Sequence, residues 1–443
     1  MEGNGEWGLR TGDWGLGTGE RRLGGIVSGI LLNTAIKLLS VLSSLWLSIR
    51  NAYGGLSRAI WLLALAQFIN RAGSMVVFFM AVYLRDDVGL DLAQVGVVMA
   101  CYGVGALVGV YAGGKLTDRI GHQPVMVGSL LGGFIMFMLA SQVDGFYALC
   151  IVMFLLSAFG DGFRPAGMVA ISHYSNKDNY TRSVSLYRLA INLGFSIGPA
   201  IGGLLAAIDY QYLFWADGGT CLMASVFVYF FLPSSSVNHQ DSEVEGSAVK
   251  SEERTPWKDR AFLIFLPLVT IYAIAFFQLF STMSLYYKNH EGFTEGQIGG
   301  ILALNGFLVA AVELVLVSKI EHRGSIYRWI IWGTLMLTES YGLILFLHGI
   351  YWYLFIITIV SFSEMFVMPF TNTFMNSRSG KANRGQYASL FVMAWSAAHV
   401  FTPIIATNIM ESMGYAALWW VMIGFTLVVV GLTMCVKRAV ASD

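Results

Sequence analysis

Gly113-Gly-Lys-Leu-Thr-Asp-Arg-Ile-Gly121 is a short charged turn between two long apolar stretches, residues 92–112 and 124–140. Two helices meeting at a tight turn need glycine where their backbones approach. Asp118 can accept hydrogen bonds near a helix terminus, and Arg119 can pair with an acid or an anionic headgroup. An ordinary basic loop is the bland reading, and the full spacing argues against it.

Working outward, apolar stretches lie near 59–84, 92–112, 124–140, 145–171, 183–208 and 213–232. A second set follows at 261–287, 296–318, 326–347, 350–375, 386–410 and 415–436. Most approach the roughly 20 residues that span hydrocarbon as helix. Of 443 residues, 56% are hydrophobic and 12% charged, and the mean hydropathy is +0.64. Soluble domains carry about 25% charged residues, so the chain reads as an integral membrane protein. Glycine is abundant at 49 and proline scarce at 8, which suits closely packed spanning helices. Cys101, Cys150, Cys221 and Cys435 lie in separate apolar stretches, with neither zinc spacing nor a disulfide framework.

The expected organisation is all-α, with twelve transmembrane helices in two pseudo-symmetric six-helix bundles. The bundles occupy 57–232 and 261–437, joined by a cytoplasmic linker over 233–260 and followed by a tail, 438–443. Even-numbered loops and both flanks hold eighteen Lys and Arg, among them Lys115, Arg119, Lys258, Arg328, Arg378 and Lys437, against Arg85 and Lys288 on the other side. That bias places both ends of the core in the cytoplasm. Residues 234–253 are rich in Ser, Glu and Val and read as a tether. Residues 1–56 are an extension in which 24–47 is apolar but interrupted by Lys37; an interfacial helix or an upstream extension is expected there.

The halves echo one another: Leu186-Tyr187 followed by Pro199 matches Leu390-Phe391 followed by Pro403, and Asp161 is matched to Glu364. Parallel six-helix repeats of this kind are a transporter plan. The turn at 113–121 resembles the signature loop Gly-x-x-x-Asp-Arg-x-Gly of the major facilitator superfamily, carried by Gly114, Asp118, Arg119 and Gly121. The resemblance covers roughly 57–437 and implies that these residues gate the cytoplasmic side. The counterpart Ser318-Lys-Ile-Glu-His-Arg-Gly324 is degenerate. Gly194-Phe-Ser-Ile-Gly198-Pro199-Ala-Ile-Gly202-Gly203 resembles the family's antiporter motif, in particular that of bacterial proton-coupled drug-efflux antiporters. Its alternative reading is tight helix packing alone.

Charges inside apolar stretches are costly and are functional candidates. Asp161 and Arg164, three apart on one helix, can pair with each other or with Arg71. The family's fourth-helix arginine, often linked to proton coupling, corresponds to Arg164, although Asp161-Gly-Phe-Arg164-Pro165 departs from the usual pattern. Arg71, Asp161, Arg164 and Glu364 are the coupling candidates, with a static packing network as the rival. Arg188, Asn192, Asn305, Glu313, Glu339 and Trp395 are candidates for a substrate cavity. Asp217, near a helix start with access to water, reads as structural.

The expected function is proton-coupled export of a small amphiphilic compound by alternating access, from the bacterial inner membrane. The rival is proton-coupled uptake of a peptide, sugar or other metabolite; a membrane receptor or scaffold is a further one. No catalytic constellation converges, and His173 and His322 are isolated. The expected partners are a small-molecule substrate and membrane lipids, not nucleic acid, for a monomeric chain. No metal or cofactor is expected beyond the coupling proton.

Overall fold

Capping residues start the helices where the apolar stretches begin. Asp91 accepts from the Gln94 amide at 2.7 Å while the Gln94 side chain accepts from the Asp91 amide at 3.2 Å, a reciprocal cap. Thr294 and Gln297 repeat that arrangement, and Ser57 and Asp259 cap their own helices with one side-chain oxygen each. The computed structural model describes residues 54–176, 179–233, 255–320, 323–380 and 383–442. Residues 1–53 and 234–254, where the extension and most of the tether are expected, lie outside the described residues.

In the first half, α1 (Arg58–Ala72) and α2 (Val76–Val82) precede α3 (Leu92–Ile120), α4 (His122–Ala140), α5 (Phe146–Tyr174), α6 (Tyr180–Ala206) and α7 (Gln211–Phe231). In the second, α8 (Arg260–Phe276), α9 (Gln278–Ser281) and α10 (Met283–Asn289) precede α11 (Glu295–Ile320), α12 (Ile326–Ile344), α13 (Ile350–Arg378) and α14 (Arg384–Ser442).

Ten described helical segments are long and apolar enough to cross a membrane, which makes this an all-α, multi-pass membrane fold. α12 is not among the ten, and the stretch Gln386–Ser442 counts as one. Its 57 residues would reach about 85 Å as a straight helix, far beyond the ~30 Å hydrocarbon core. Gly414 breaks it, with φ 82° and ψ 175°, a conformation that glycine tolerates.

Glycine explains how the helices approach one another. Along α3, Gly105, Gly109 and Gly113 lie against the backbone of Phe154, Ala158 and Gly162 on α5. A Cβ at Gly105 would stand 2.1 Å from the Phe154 carbonyl oxygen, so no larger residue fits without separating the helices. Within the first half, α1 packs on α6 and α7, and α4 on α5 and α7. Within the second, α8 packs on α14, and α13 on α11 and α12. The halves meet where α6 packs on α11, α3 on α14, and α2 on α9 and α10. Tyr147 and Tyr351, 81% and 84% exposed, open α5 and α13, and such aromatics suit a membrane–water boundary.

Candidate functional site

One face of α6 is built from the glycine motif. Gly194, Gly198 and Gly202 fall at four-residue steps and face Arg71, Ala72 and Met75 of the α1–α2 segment. Gly203 turns the other way, where a Cβ would lie 2.4 Å from the Glu295 carbonyl oxygen of α11. Gly299 reciprocates, 2.3 Å from the Pro199 carbonyl oxygen by the same construction. The motif thus packs α6 on its own half and on the other half together.

Further along the same pair of helices, Arg188 donates to Glu313 at 2.6 Å and Asn192 donates to its second oxygen at 3.2 Å. Arg188 lies about 12 Å into α6 at 1.5 Å per residue, well inside the spanning segment. Among the described residues this is the ion pair that joins the halves. Asn305, one face along α11, donates to Ser361 at 3.0 Å and to Glu364 at 3.3 Å. Arg188 and Glu313 are close enough to Glu364 to act on it electrostatically.

A second polar group belongs to the first half. Asp161 and Arg164 form a pair at 3.4 Å on α5. Asp161 shares a pocket of about 60 Å³ with Asn70, Arg71, Tyr102, Ser129 and Cys221, large enough for water. The Arg71 guanidinium rests over the Phe195 ring at 5.6 Å. Across from this group, the His399 imidazole of α14 stacks on Phe277 with centroids 3.8 Å apart, within electrostatic reach of Asp161 and Arg164. Trp395, one turn away, packs on Tyr272, Phe277 and Phe391.

The structure therefore divides the four coupling candidates: Glu364 joins the Arg188–Glu313 network, apart from Arg71, Asp161 and Arg164. The reason is register. Pro165 and Pro369 are 204 residues apart, as are Pro199 and Pro403, and that offset pairs Glu364 with Gly160 rather than with Asp161. One residue is about 100° around a helix, so the two carboxylates point in different directions. Glu339 is also corrected. α12 buries Ile330, Gly333, Thr334, Leu337, Ser340 and Tyr341, which leaves Glu339 exposed on the opposite face, away from the cavity.

Asp217 is fully buried, not water-accessible. Its carboxylate accepts from the Met75 amide at 3.0 Å and the Val76 amide at 2.9 Å, closing the break between α1 and α2. His173 is not isolated, since its ring lies 5.3 Å from that of His122; His322 lies outside the described residues.

The two ends of the molecule differ. At the end opposite the Gly121 turn, Asn289 donates to Asp86 at 3.4 Å and Tyr210 to Glu295 at 3.1 Å, both across the halves. Lys288 also pairs with Glu295. Beside them, one oxygen of Glu291 meets Nδ1 of His290 at 3.1 Å and Nδ1 of His348 at 2.9 Å. Burial would raise that carboxyl, but the hydrogen bonds from His348 and His290 outweigh it and hold it below its ordinary value. No group of His, Cys, Asp or Glu among the described residues is arranged to hold a metal ion. At the other end Gly121 makes the tight turn with φ 88°. Gly114 sits just inside α3, and Asp118 and Arg119 stand exposed. Neither makes an ion pair or side-chain hydrogen bond among the described residues.

Three sets of residues escaped sequence reasoning: His399, the Asp86–Asn289 and Tyr210–Glu295 contacts, and a buried Asp259–Arg378 pair. Arg378 reaches Asp259 through two bonds of 2.8 and 2.7 Å, and Tyr387 donates to it at 3.0 Å. The available signals were an Asp immediately before an apolar stretch and a single histidine inside one.

Comparison with known proteins adds the following. The family model described as Major Facilitator Superfamily matches residues 63–403. The chain is similar to Multidrug resistance protein 1 of Bacillus subtilis, 24% identical over 345 residues, 76% of this chain and 86% of that protein. It is similar to the Quinolone resistance protein NorA of Staphylococcus aureus, 23% identical over 308 residues, 68% and 77% of the two chains. A crystal structure of a POT family transporter in complex with a thioalcohol conjugated peptide superposes with TM-score 0.74 at 15% identity, covering 88% of this chain and 97% of the other. That likeness shows the fold.

Proposed function

The chain belongs to the major facilitator superfamily, and on that premise we propose that it is a twelve-span exporter exchanging a small amphiphilic compound for protons. It is a multi-pass membrane transporter of small molecules working by alternating access, not an enzyme. Counting α12 and dividing α14 at Gly414 brings the ten spans to twelve, six in each half. On the Lys and Arg bias, the Gly121 turn and both ends of the core face the cytoplasm, with the chain in a bacterial inner membrane.

The observation that carries the reading is the asymmetry of the two ends. Two cross-half hydrogen bonds close the outer end, while Asp118 and Arg119 stand exposed at the cytoplasmic rim, where Arg188 and Asn192 on Glu313, about two turns further in, are the polar link between the halves. Release of that one link opens the side from which an exporter loads. The rings of Phe195, against Arg71, and of Phe277 and Trp395, packed on each other, suit a lipophilic cation with a flat ring system. Relatives named for multidrug and quinolone resistance support export.

Protons and substrate compete for the central carboxylates. Asp161, held beside Arg164 and Arg71, takes a proton from outside and yields it to the cytoplasm, and Glu364 answers from the second half. The test is transport of ethidium and tetraphenylphosphonium by protein in sealed vesicles under an imposed pH gradient. Full proton-driven transport by Asp161→Asn would remove Asp161 from the coupling path.

A further inference from the structure

Between the start of α12 and the end of α14 lies a hollow of about 350 Å³, lined by Ser325, Tyr327, Arg328, Ile331, Trp332 and Lys437. It shares no lining residue with the Arg188–Glu313 and Asp161–Arg164 groups, and transport as described makes no use of it. Its charged lining groups, Arg328 and Lys437, are both cations, and no carboxylate joins them. Neither makes an ion pair among the described residues; Arg328 rests instead over the Trp329 ring at 5.8 Å. Two like charges facing one hollow repel each other unless an anion lies between them.

The rest of the lining completes the chemistry. Ser325 sits at the N-cap of α12, but its hydroxyl makes no capping bond, and the helix start favours negative charge. Tyr327 brings a second hydroxyl. Below the polar rim, Trp332 is 53% exposed, and Leu335 and Met434 continue the same two helices toward the membrane interior with apolar side chains also exposed. The hollow is thus cationic and hydroxyl-bearing at its mouth and aromatic, then aliphatic, below. An interfacial tryptophan under a pair of cations matches the boundary between headgroup and acyl chain.

We propose that this hollow binds the headgroup of an anionic phospholipid. Arg328 and Lys437 flank the phosphate, Ser325 and Tyr327 meet the glycerol oxygens, and one acyl chain runs along Trp332, Leu335 and Met434. A free inorganic anion would use the same cations but gain nothing from the apolar strip, so the lipid is the occupant. Because the two sides of the hollow come from α12 and α14, a bound lipid ties those helices together at the cytoplasmic rim.

The full-length protein, delipidated in a neutral detergent, is mixed with dioleoylphosphatidylglycerol or dioleoylphosphatidylcholine, and bound lipid is counted by native mass spectrometry. Wild type is expected to retain phosphatidylglycerol in preference to phosphatidylcholine. Arg328→Gln/Lys437→Gln should lower that retention about thirtyfold, at about fivefold for each basic group lost near a lipid surface. Arg58→Gln, an exposed base at the same end, should leave it unchanged. If the double variant does not fold, each single variant, with a loss of about fivefold, serves instead. Trp332→Ala should weaken retention while both cations remain. Equal retention by the double variant and wild type would overturn the proposal. So would equal binding of phosphatidylcholine, or complete displacement of the lipid by millimolar inorganic phosphate, which would mark a simple anion site.

Discussion

Arg188 on α6 and Glu313 on α11 meet at 2.6 Å and tie the two halves together inside the spanning region. Arg188 is about half exposed and Glu313 mostly buried, so the bond is neither a surface pair nor a sealed one. A charge-assisted bond of this kind contributes about 1.5–3 kcal/mol. That is enough to bias which side is open and small enough to be broken in each cycle. Glu313→Gln should therefore slow ethidium transport about tenfold in proteoliposomes. The exchanged pair Arg188→Glu/Glu313→Arg should recover part of the rate, as measured by initial rates at fixed protein.

The outer end is held across the halves by neutral donors, Asn289 on Asp86 and Tyr210 on Glu295. Asn289→Ala combined with Tyr210→Phe removes both cross-half hydrogen bonds and should shift the molecule toward the outward-open state. Spin labels at Gln142 and Ser412 should then report a longer mean distance than in the parent carrying the same labels.

Gly203 and Gly299 carry the opposite kind of control. Gly299→Ala places a Cβ against the Pro199 carbonyl oxygen, and overpacking of this sort costs about 1–3 kcal/mol. α6 and α11 must separate at the outer end, so accessibility of a single engineered cysteine there to a water-soluble maleimide should rise.

The Asp259–Arg378 pair predicts a pH dependence of stability. Burial alone would raise the Asp259 carboxyl, but the Arg378 guanidinium, the Phe262 amide and the Tyr387 hydroxyl together hold it below the ordinary carboxylate range. A depressed folded value stabilises above the unfolded value, about pH 4, and that contribution is lost as pH falls through the folded value. Thermal midpoints in detergent should thus drop on acidification below about pH 4. Arg378→Ala should cost about 3 kcal/mol at neutral pH, because it strands a buried carboxylate, and should flatten the acid dependence.

Membrane class and the positions of the apolar stretches were legible because each is a local property of the chain, whereas the turn expected over 113–121 narrows to Gly121, because α3 runs on to Ile120. The resemblance carried by Asp118, Arg119 and the α6 glycines led to the family. What escaped were relations set by rotation and distance. Glu364 was matched to Asp161 through composition, whereas the shared proline spacing shows a one-residue offset that turns it toward Asn305. The apolar stretch around Glu339 points to a buried role, and only the burial pattern of α12 shows that it faces outward. Asp217 reaches Met75 across more than 140 positions, a capping contact that no spacing rule registers.

The most direct measurement follows protons and substrate together. In proteoliposomes loaded with a pH-sensitive dye, adding ethidium should drive protons in the direction opposite to ethidium, and Asp161→Asn should abolish that flux while ethidium still binds. Ethidium movement with no proton flux, or with protons moving in the same direction, would contradict exchange.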